Sequence, residues 1–250
     1  MTRMRPPVAR PQKLAEHIAE QLRGQIIRRE LADGDYLPVE VDLCAHFGTS
    51  RPTMREAFRI LEAEGLLQIR RGGRFGPRVQ APDSAVTAKS LGLLLQHQHV
   101  DLSAVYDTFL EIVPRAAARL ARSHTDEDLE ALREQRDRVA SAGDEGRDFL
   151  EESTAFILLV VDRAENRVLS IMCELLGEIL RAHRAAMSAY LQERPKVRAT
   201  RVHEVLASTE RIIAMIEAHD EGVEDFLHGV LDSHMRKALE VPMRETVQLV

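Results

Sequence analysis

The segment Ser50–Glu64, closed by Gly65, constrains this chain more than any other. Its apolar residues Met54, Ala57, Phe58, Leu61 and, one turn on, Leu66 recur at three- and four-residue steps, so a helix here ties one side to a core. The Ser50 hydroxyl is placed to accept from a free backbone N–H of the first turn. Arg51, Thr53 and Arg55 then project from the N-terminal end, a face suited to a polyanion and read as that of a DNA recognition helix.

The flanking sequence fits a compact head around that helix. Leu14, Ile18, Leu22, Ile26 and Ile27 lie on one face of a helix running from Lys13 to Arg29. Asp33-Gly34-Asp35 breaks it, Tyr36-Leu37 is extended, and Pro38 suits the first turn of a second helix spanning Val39 to Phe47. Gly48-Thr49 is the turn of a helix-turn-helix. Leu66–Arg70 and Arg78–Gln80 read as two strands joined by a glycine-permitted tip, with Arg70, Arg71, Arg74 and Arg78 making a basic wing able to follow a minor groove.

Charge divides the chain in the same place. Residues 1–80 hold 14 Lys+Arg against 10 Asp+Glu, a net of +4, whereas the remaining 170 hold 20 against 30, a net of −10. A basic part joined to an acidic part is expected when only one of them meets phosphates. No apolar run reaches the length of a membrane span, and the first residues have arginines without an apolar stretch, so no membrane partner and a cytoplasmic location are expected. Cys44 and Cys173 lie far apart on apolar helix faces and read as reduced core thiols.

Residues 13–80 resemble the winged helix-turn-helix of the GntR family of bacterial transcription regulators. The resemblance rests on Leu37-Pro38-x-Glu40, on Leu43, Phe47-Gly48, Ser50-Arg51-x-Thr53-x-Arg55-Glu56-Ala57, Leu61, Glu64-Gly65-Leu66 and on the wing Arg70-Arg71-Gly72-Gly73. It implies that Arg51 and Arg55 meet base edges or adjacent phosphates, that Thr53 and Ser50 lie at the DNA backbone, and that Arg70, Arg71, Gly72 and Gly73 form the wing contact. One departure stands out. Many relatives carry a basic residue after the glutamate of the Leu-Pro-x-Glu motif, where this chain has Val41.

After Ala81-Pro82-Asp83 there is no strand-like alternation. Helices are expected over 84–97, 101–122, 125–141, 147–164, 167–192, 199–218 and 223–240, with Thr125 and Asp128 resembling a capping box and Gly143, Asn166, Arg194-Pro195 and the His219–Gly222 segment marking breaks. Phe109, Phe156, Leu159, Val160, Ile171, Leu175, Ile179, Ile212 and Ile216 read as its interior. The whole is mainly α: a disordered arm 1–11, a winged helix-turn-helix 12–80 with a small two-stranded wing, a linker 81–84, an all-helical effector-binding and dimerisation bundle 85–242, and a tail 243–250.

An all-helical bundle behind such a head resembles the FadR subgroup, whose C-terminal domain dimerises and binds small organic effectors. Many members hold a divalent metal with one Asp and three His. Laid on this chain, that pattern falls on Ser153, Ile157 and Thr209, leaving only His234, so no metal or other cofactor is expected; His203 and His228 do not fall at the pattern's spacing. The resemblance then points to a fatty-acyl or other organic acid effector, with Arg115, Arg181, His183, Arg184 and His234 as candidate anchors for its acidic head.

No Gly-x-Ser-x-Gly elbow, phosphate-binding glycine loop before a helix, or His-Glu-x-x-His motif occurs, so an enzyme is not expected. The reading is a homodimeric transcription regulator, a repressor, on a pseudo-palindromic double-stranded DNA operator and modulated by an effector. The alternative is a ligand-free DNA-binding protein whose helices only dimerise.

Overall fold

The computed structural model describes residues 11–69 and 75–239, and their backbone divides into two compact units, one up to Val86 and the other from Thr87. The arm 1–10, the wing tip Arg70, Arg71, Gly72, Gly73 and Arg74, and the tail 243–250 lie outside the described residues.

In the first unit α1 (Pro11–Ile27) packs against α3 (Arg51–Ala63), and α2 (Glu40–His46) braces α3 from the side. Ala15, Ile18, Leu22, Met54, Ala57, Phe58 and Leu61 are buried between them, with Leu37, Leu66, Leu67 and Val79 closing the cluster. Each fully buried leucine or phenylalanine there contributes about 1.5–3 kcal/mol of hydrophobic stabilisation. At the end of α3, Gly65 takes φ +73°, the left-handed turn that lets the chain double back; a side chain there would also meet Val86 at 2.7 Å. Strand β1 (Leu67–Gln68) then pairs antiparallel with β2 (Arg78–Val79), Leu67 opposite Val79, and Tyr36 bridges to Arg78 on the other side.

Three local expectations give way here. α1 starts at Pro11, inside what was read as the arm. α2 starts only at Glu40 with Val39 as its N-cap, leaving Pro38 ahead of the helix. Ser50 is the N-cap of α3, but its hydroxyl makes no cap bond; it lies 3.0 Å from the Thr53 hydroxyl, and Pro52 at the helix start removes one of the N–H groups that needed capping.

The second unit is all α: α4 (Ser84–His97, which begins in the first unit), α5 (Leu102–Ser123), α6 (Asp126–Asp144), α7 (Phe149–Arg163), α8 (Arg167–Ile179), α9 (Arg181–Gln192), α10 (Pro195–Glu217) and α11 (Val223–Leu239). α5 is the hub and packs against α7, α8, α10 and α11; its buried Ala116, Ala117, Ala118 and Ala121 let neighbours approach closely. Phe156, Leu120, Leu132, Ile212, Ile216 and Leu227 form the main core, and Val139, Phe149, Met187, Leu191 and Val205 a smaller cluster.

The capping box at the head of α6 is present, with the Asp128 N–H donating to the Thr125 hydroxyl at 3.2 Å and the Thr125 N–H donating to Asp128 at 2.9 Å. Asn166 caps α8 by accepting from the Leu169 N–H. Three sequence expectations are corrected. Gly143 does not break α6 but lies inside it, because α10 crosses so closely that a Cβ would meet Val202 at 2.6 Å. The single helix expected over 167–192 is two, interrupted at Leu180; Arg184 donates to the Gly177 carbonyl at 3.3 Å, a side chain occupying a carbonyl of the turn where the helix changes course. Ile171 is not interior but 43% exposed, on an outward face of α8 with Val168 and Met172.

Candidate nucleic-acid interface and ligand cavity

The N-terminal end of α3 presents Ser50, Arg51 and Arg55 outward while Met54, Ala57 and Phe58 anchor the opposite side. The anchoring is what aims the arginines: a helix held by fully buried side chains cannot rotate without opening its core. Thr53 departs from the expected set, being only 8% exposed and turned toward the Ser50 hydroxyl. Its four-residue offset from Ala57 places it on the core side, a signal the sequence contained.

Arg55 and Glu40 form an ion pair across α2 and α3, Nε to Oε2 at 2.9 Å, with the Arg55 side chain 63% exposed and that of Glu40 25%. Glu40 was noted only as part of a motif; in the structure it is the ion-pair partner of Arg55. The pair raises the Arg55 pKa through the Glu40 hydrogen bond, so the guanidinium stays charged at any working pH. Glu40 takes Nε, and the Nη groups of Arg55 have no protein partner among the described residues. A guanidinium held from behind by one side-on bond is preorganised for a bidentate contact to phosphate or guanine. Arg51 has no acidic partner among the described residues. Val41, the departure in the motif, is 52% exposed at the start of α2.

At the foot of the wing, Tyr36 and Phe75 stack with ring centroids 5.1 Å apart, and both are exposed. Neither was picked out from sequence. The wing residues Arg70, Arg71, Gly72 and Gly73 lie outside the described residues.

In the second unit a cavity of about 170 Å³ lies among α5, α7, α9, α10 and α11. Two of the candidate anchors, Arg184 and His234, line it. His183 stands behind it, buried, with Nδ1 2.6 Å from the hydroxyl of Tyr106, which does line it. Burial pushes the Tyr106 phenol up to about 12 and the His183 imidazole down, so the pair shares one hydrogen bond between neutral groups. Burial first, and the Arg201 charge second, push His234 down to about 4; it is neutral at pH 7.

Arg115 and Arg181 do not join the cavity lining. Arg115 is on the outer face of α5, its side chain 71% exposed and paired with Glu111, and Arg181 pairs with Glu178 at the start of α9. Both sit on the solvated faces that helical spacing gives them. Arg201 lines the cavity and sequence reasoning missed it, although Arg201, Val205 and Thr209 repeat at four-residue steps along the inward face of α10. A charge on an otherwise inward stripe was the available signal.

The positions that the metal pattern assigns lie partly at this cavity: Ser153, Ile157 and His234 line it, whereas Thr209 is buried with its hydroxyl donating to the Leu206 carbonyl at 2.9 Å. One imidazole, two hydroxyls and a hydrocarbon do not make a divalent-metal site, so the residues do not fit that group. His203 and His228 are exposed. No group of three or more His, Cys, Asp or Glu able to hold a metal occurs among the described residues, and no helix among them is long and apolar enough to cross a membrane.

Residues 14–76 match the family described as bacterial regulatory proteins, gntR family, and residues 104–226 match the FCD domain. The HTH-type transcriptional repressor NanR of Escherichia coli K12 is 31% identical over 234 residues, covering 92% of this chain and 84% of that protein. NanR of Shigella dysenteriae is 30% identical over the same span. Among solved structures, a Streptococcus agalactiae protein titled GntR shares the fold with a TM-score of 0.65 at 21% identity, covering 89% of this chain and 99% of that one.

Proposed function

Because this chain belongs to the GntR family of bacterial regulatory proteins, and so is a DNA-binding transcription regulator, we propose that it represses transcription as a homodimer on a pseudo-palindromic operator. A small organic or fatty-acyl effector held in the helical bundle modulates it. The observation that carries the DNA half is the outward pair Arg51 and Arg55 on a helix whose other face is locked into the core, with Glu40 aiming Arg55. Arg70, Arg71, Gly72 and Gly73 extend the contact along the wing, and Ser50 approaches the backbone at the helix start; Thr53 acts by bracing Ser50.

The repressor sign is drawn from NanR, which is named a repressor. Its support here is physical: two recognition helices related by a two-fold axis occupy adjacent major-groove faces and block that stretch of DNA. The alternative, a bundle that only dimerises, draws on Ile157 at a position the resemblance reserves for a ligand, but a cavity lined by two arginines is a poor interior for a scaffold with nothing to bind.

The test is binding to the DNA upstream of the protein's own gene. Changing Arg51 and Arg55 together to Ala is expected to weaken it by about 100-fold or more at fixed salt, since each base contact is worth about 10-fold or better. Intact binding in that double variant sinks the assignment.

A further inference from the structure

The cavity itself restricts what the effector can be. Its lining contains two arginines and not one aspartate or glutamate. Arg184 comes from α9 and Arg201 from α10, with side chains only 13% and 11% exposed. Their acidic partners stand outside the lining: Glu151 takes Nε and Nη2 of Arg184 at 2.8 Å, and Glu204 takes Nη1 of Arg201 at 3.2 Å. The Gly177 carbonyl accepts from Arg184 Nη1 at 3.3 Å and the His234 carbonyl from Arg201 Nη2 at 3.4 Å. A guanidinium has five N–H donors. Those bonds leave Nε–H of Arg201, and a second hydrogen on each Nη of both arginines, without a protein partner among the described residues.

Donors that line a pocket exchange their bonds to water for stronger, charge-assisted ones when a carboxylate binds there. The rest of the wall is mostly hydrocarbon, including Phe109, Ile157 and Met187, and its remaining polar groups, Ser153, Thr154, Tyr106 and His234, carry no charge at pH 7. A second full charge on the ligand would therefore face apolar surface. Size gives the other limit. A cavity of about 150 Å³ lined by apolar side chains holds benzene, so the sheltered space of about 170 Å³ is filled by a ring or a short branched chain.

Building on the effector reading above, we propose that this cavity takes a monocarboxylate with a compact, ring-sized apolar body, gripped directly by Arg184 and Arg201 with no bridging metal ion. Ile157 then has a positive role. Where a metal ligand would stand, a hydrocarbon side chain packs against the ligand's apolar body.

The test uses the full-length protein with EDTA present. Benzoate and hexanoate, at about 100-fold over their dissociation constants, are expected to raise Tm by about 5–10 °C, and benzamide and hexanamide, which match them in shape but carry no charge, to leave it unchanged. Arg201→Gln is expected to weaken benzoate binding at least about 10-fold, while Arg115→Gln on the outer face of α5 leaves it as in the wild type. The acid-against-amide contrast is read on wild-type protein and does not depend on how Arg201→Gln folds. A Tm rise with the acids only after Zn²⁺ or Ni²⁺ is added overturns the metal-free grip yet leaves an effector-binding bundle standing. Equal shifts by acid and amide, or no shift by either acid, overturn the inference outright. Release of operator DNA is measured alongside: if benzoate stabilises the protein without changing operator affinity, the ligand site stands and the effector role is what fails.

Discussion

The two units of this chain use arginine in opposite ways. On α3, Arg51 and Arg55 are out in solvent, and Arg55 is steadied by one side-on bond to Glu40. In the bundle, Arg184 and Arg201 are sheltered, each tied to a carboxylate and a backbone carbonyl. An exposed guanidinium contributes almost nothing to folding, because water and salt already satisfy it. A sheltered one is part of the structure, since removing it strands its partners. The difference separates function from stability: the exposed pair can be changed to read binding alone, whereas changing the sheltered pair reads both.

The largest effect expected is on DNA. Arg51→Ala with Arg55→Ala should cost about 100-fold or more in operator affinity and shift Tm by less than about 2 °C. An electrophoretic mobility or anisotropy titration alongside a thermal melt reads both at once. A Tm drop as large as a core mutation gives would erase the contrast, because it would mean the exposed arginines also hold the head together. Next is Arg201→Gln, expected to destabilise the bundle by about 1–3 kcal/mol, since it loses charge-assisted bonds to Glu204 and to the His234 carbonyl. Without ligand it should leave operator affinity unchanged. Urea unfolding with DNA titration on the same preparation checks this, and weakened DNA binding at full stability would overturn it.

How far these roles could be read from the chain depends on how local their causes are. The Thr125–Asp128 capping box, the Asn166 cap and the helix end at Gly65 are fixed by residues within a few positions of each other and the short wing strands by the single loop that joins them, and the structure has them all. Gly143 inside α6 and the exposure of Ile171 depend on which helix lies alongside, and no window of the sequence carries that. For the same reason only two of the five expected anchors, Arg184 and His234, line the cavity. Arg115 and Arg181 have the right chemistry on outward faces, whereas Arg201 lines the cavity although Glu204, three residues on, is its ion-pair partner.

Asp128 tests whether sheltered charge can act for the fold alone. Burial works against its ionised form, yet the Thr125 N–H, the Thr125 hydroxyl and Arg163 outweigh it and hold the carboxyl below its usual range. A carboxyl depressed in the folded state stabilises above its unfolded pKa of about 3.9 and loses that contribution as pH falls through the folded value. Asp128→Asn should therefore cost about 1–2 kcal/mol at pH 7, and the gap to wild type should close below about pH 4. Denaturant midpoints across pH 3–7 measure it. A gap that stays constant with pH would mean that shape, not charge, is what the cap needs.

The smallest expected effect is the sharpest on the exposed side. Glu40 steadies Arg55 but also brings a negative charge to a face meant for DNA. Its loss therefore pulls two ways. Glu40→Gln removes a repulsion from every phosphate, so affinity for random DNA should rise slightly; it also frees Arg55 to wander, so the contact with one base pair should loosen. Selectivity should fall by about 3- to 10-fold and only at that base pair, because a bidentate contact is what distinguishes bases. The slope of affinity against salt should hold steady, since it counts phosphates neutralised and none is lost. A panel of operators with single base-pair changes, titrated at two salt concentrations, separates the cases. If selectivity survives and only overall affinity rises, Glu40 is a nearby charge and Arg55 finds its direction from the DNA; if one position loses its preference, α2 aims the recognition helix through this single ion pair.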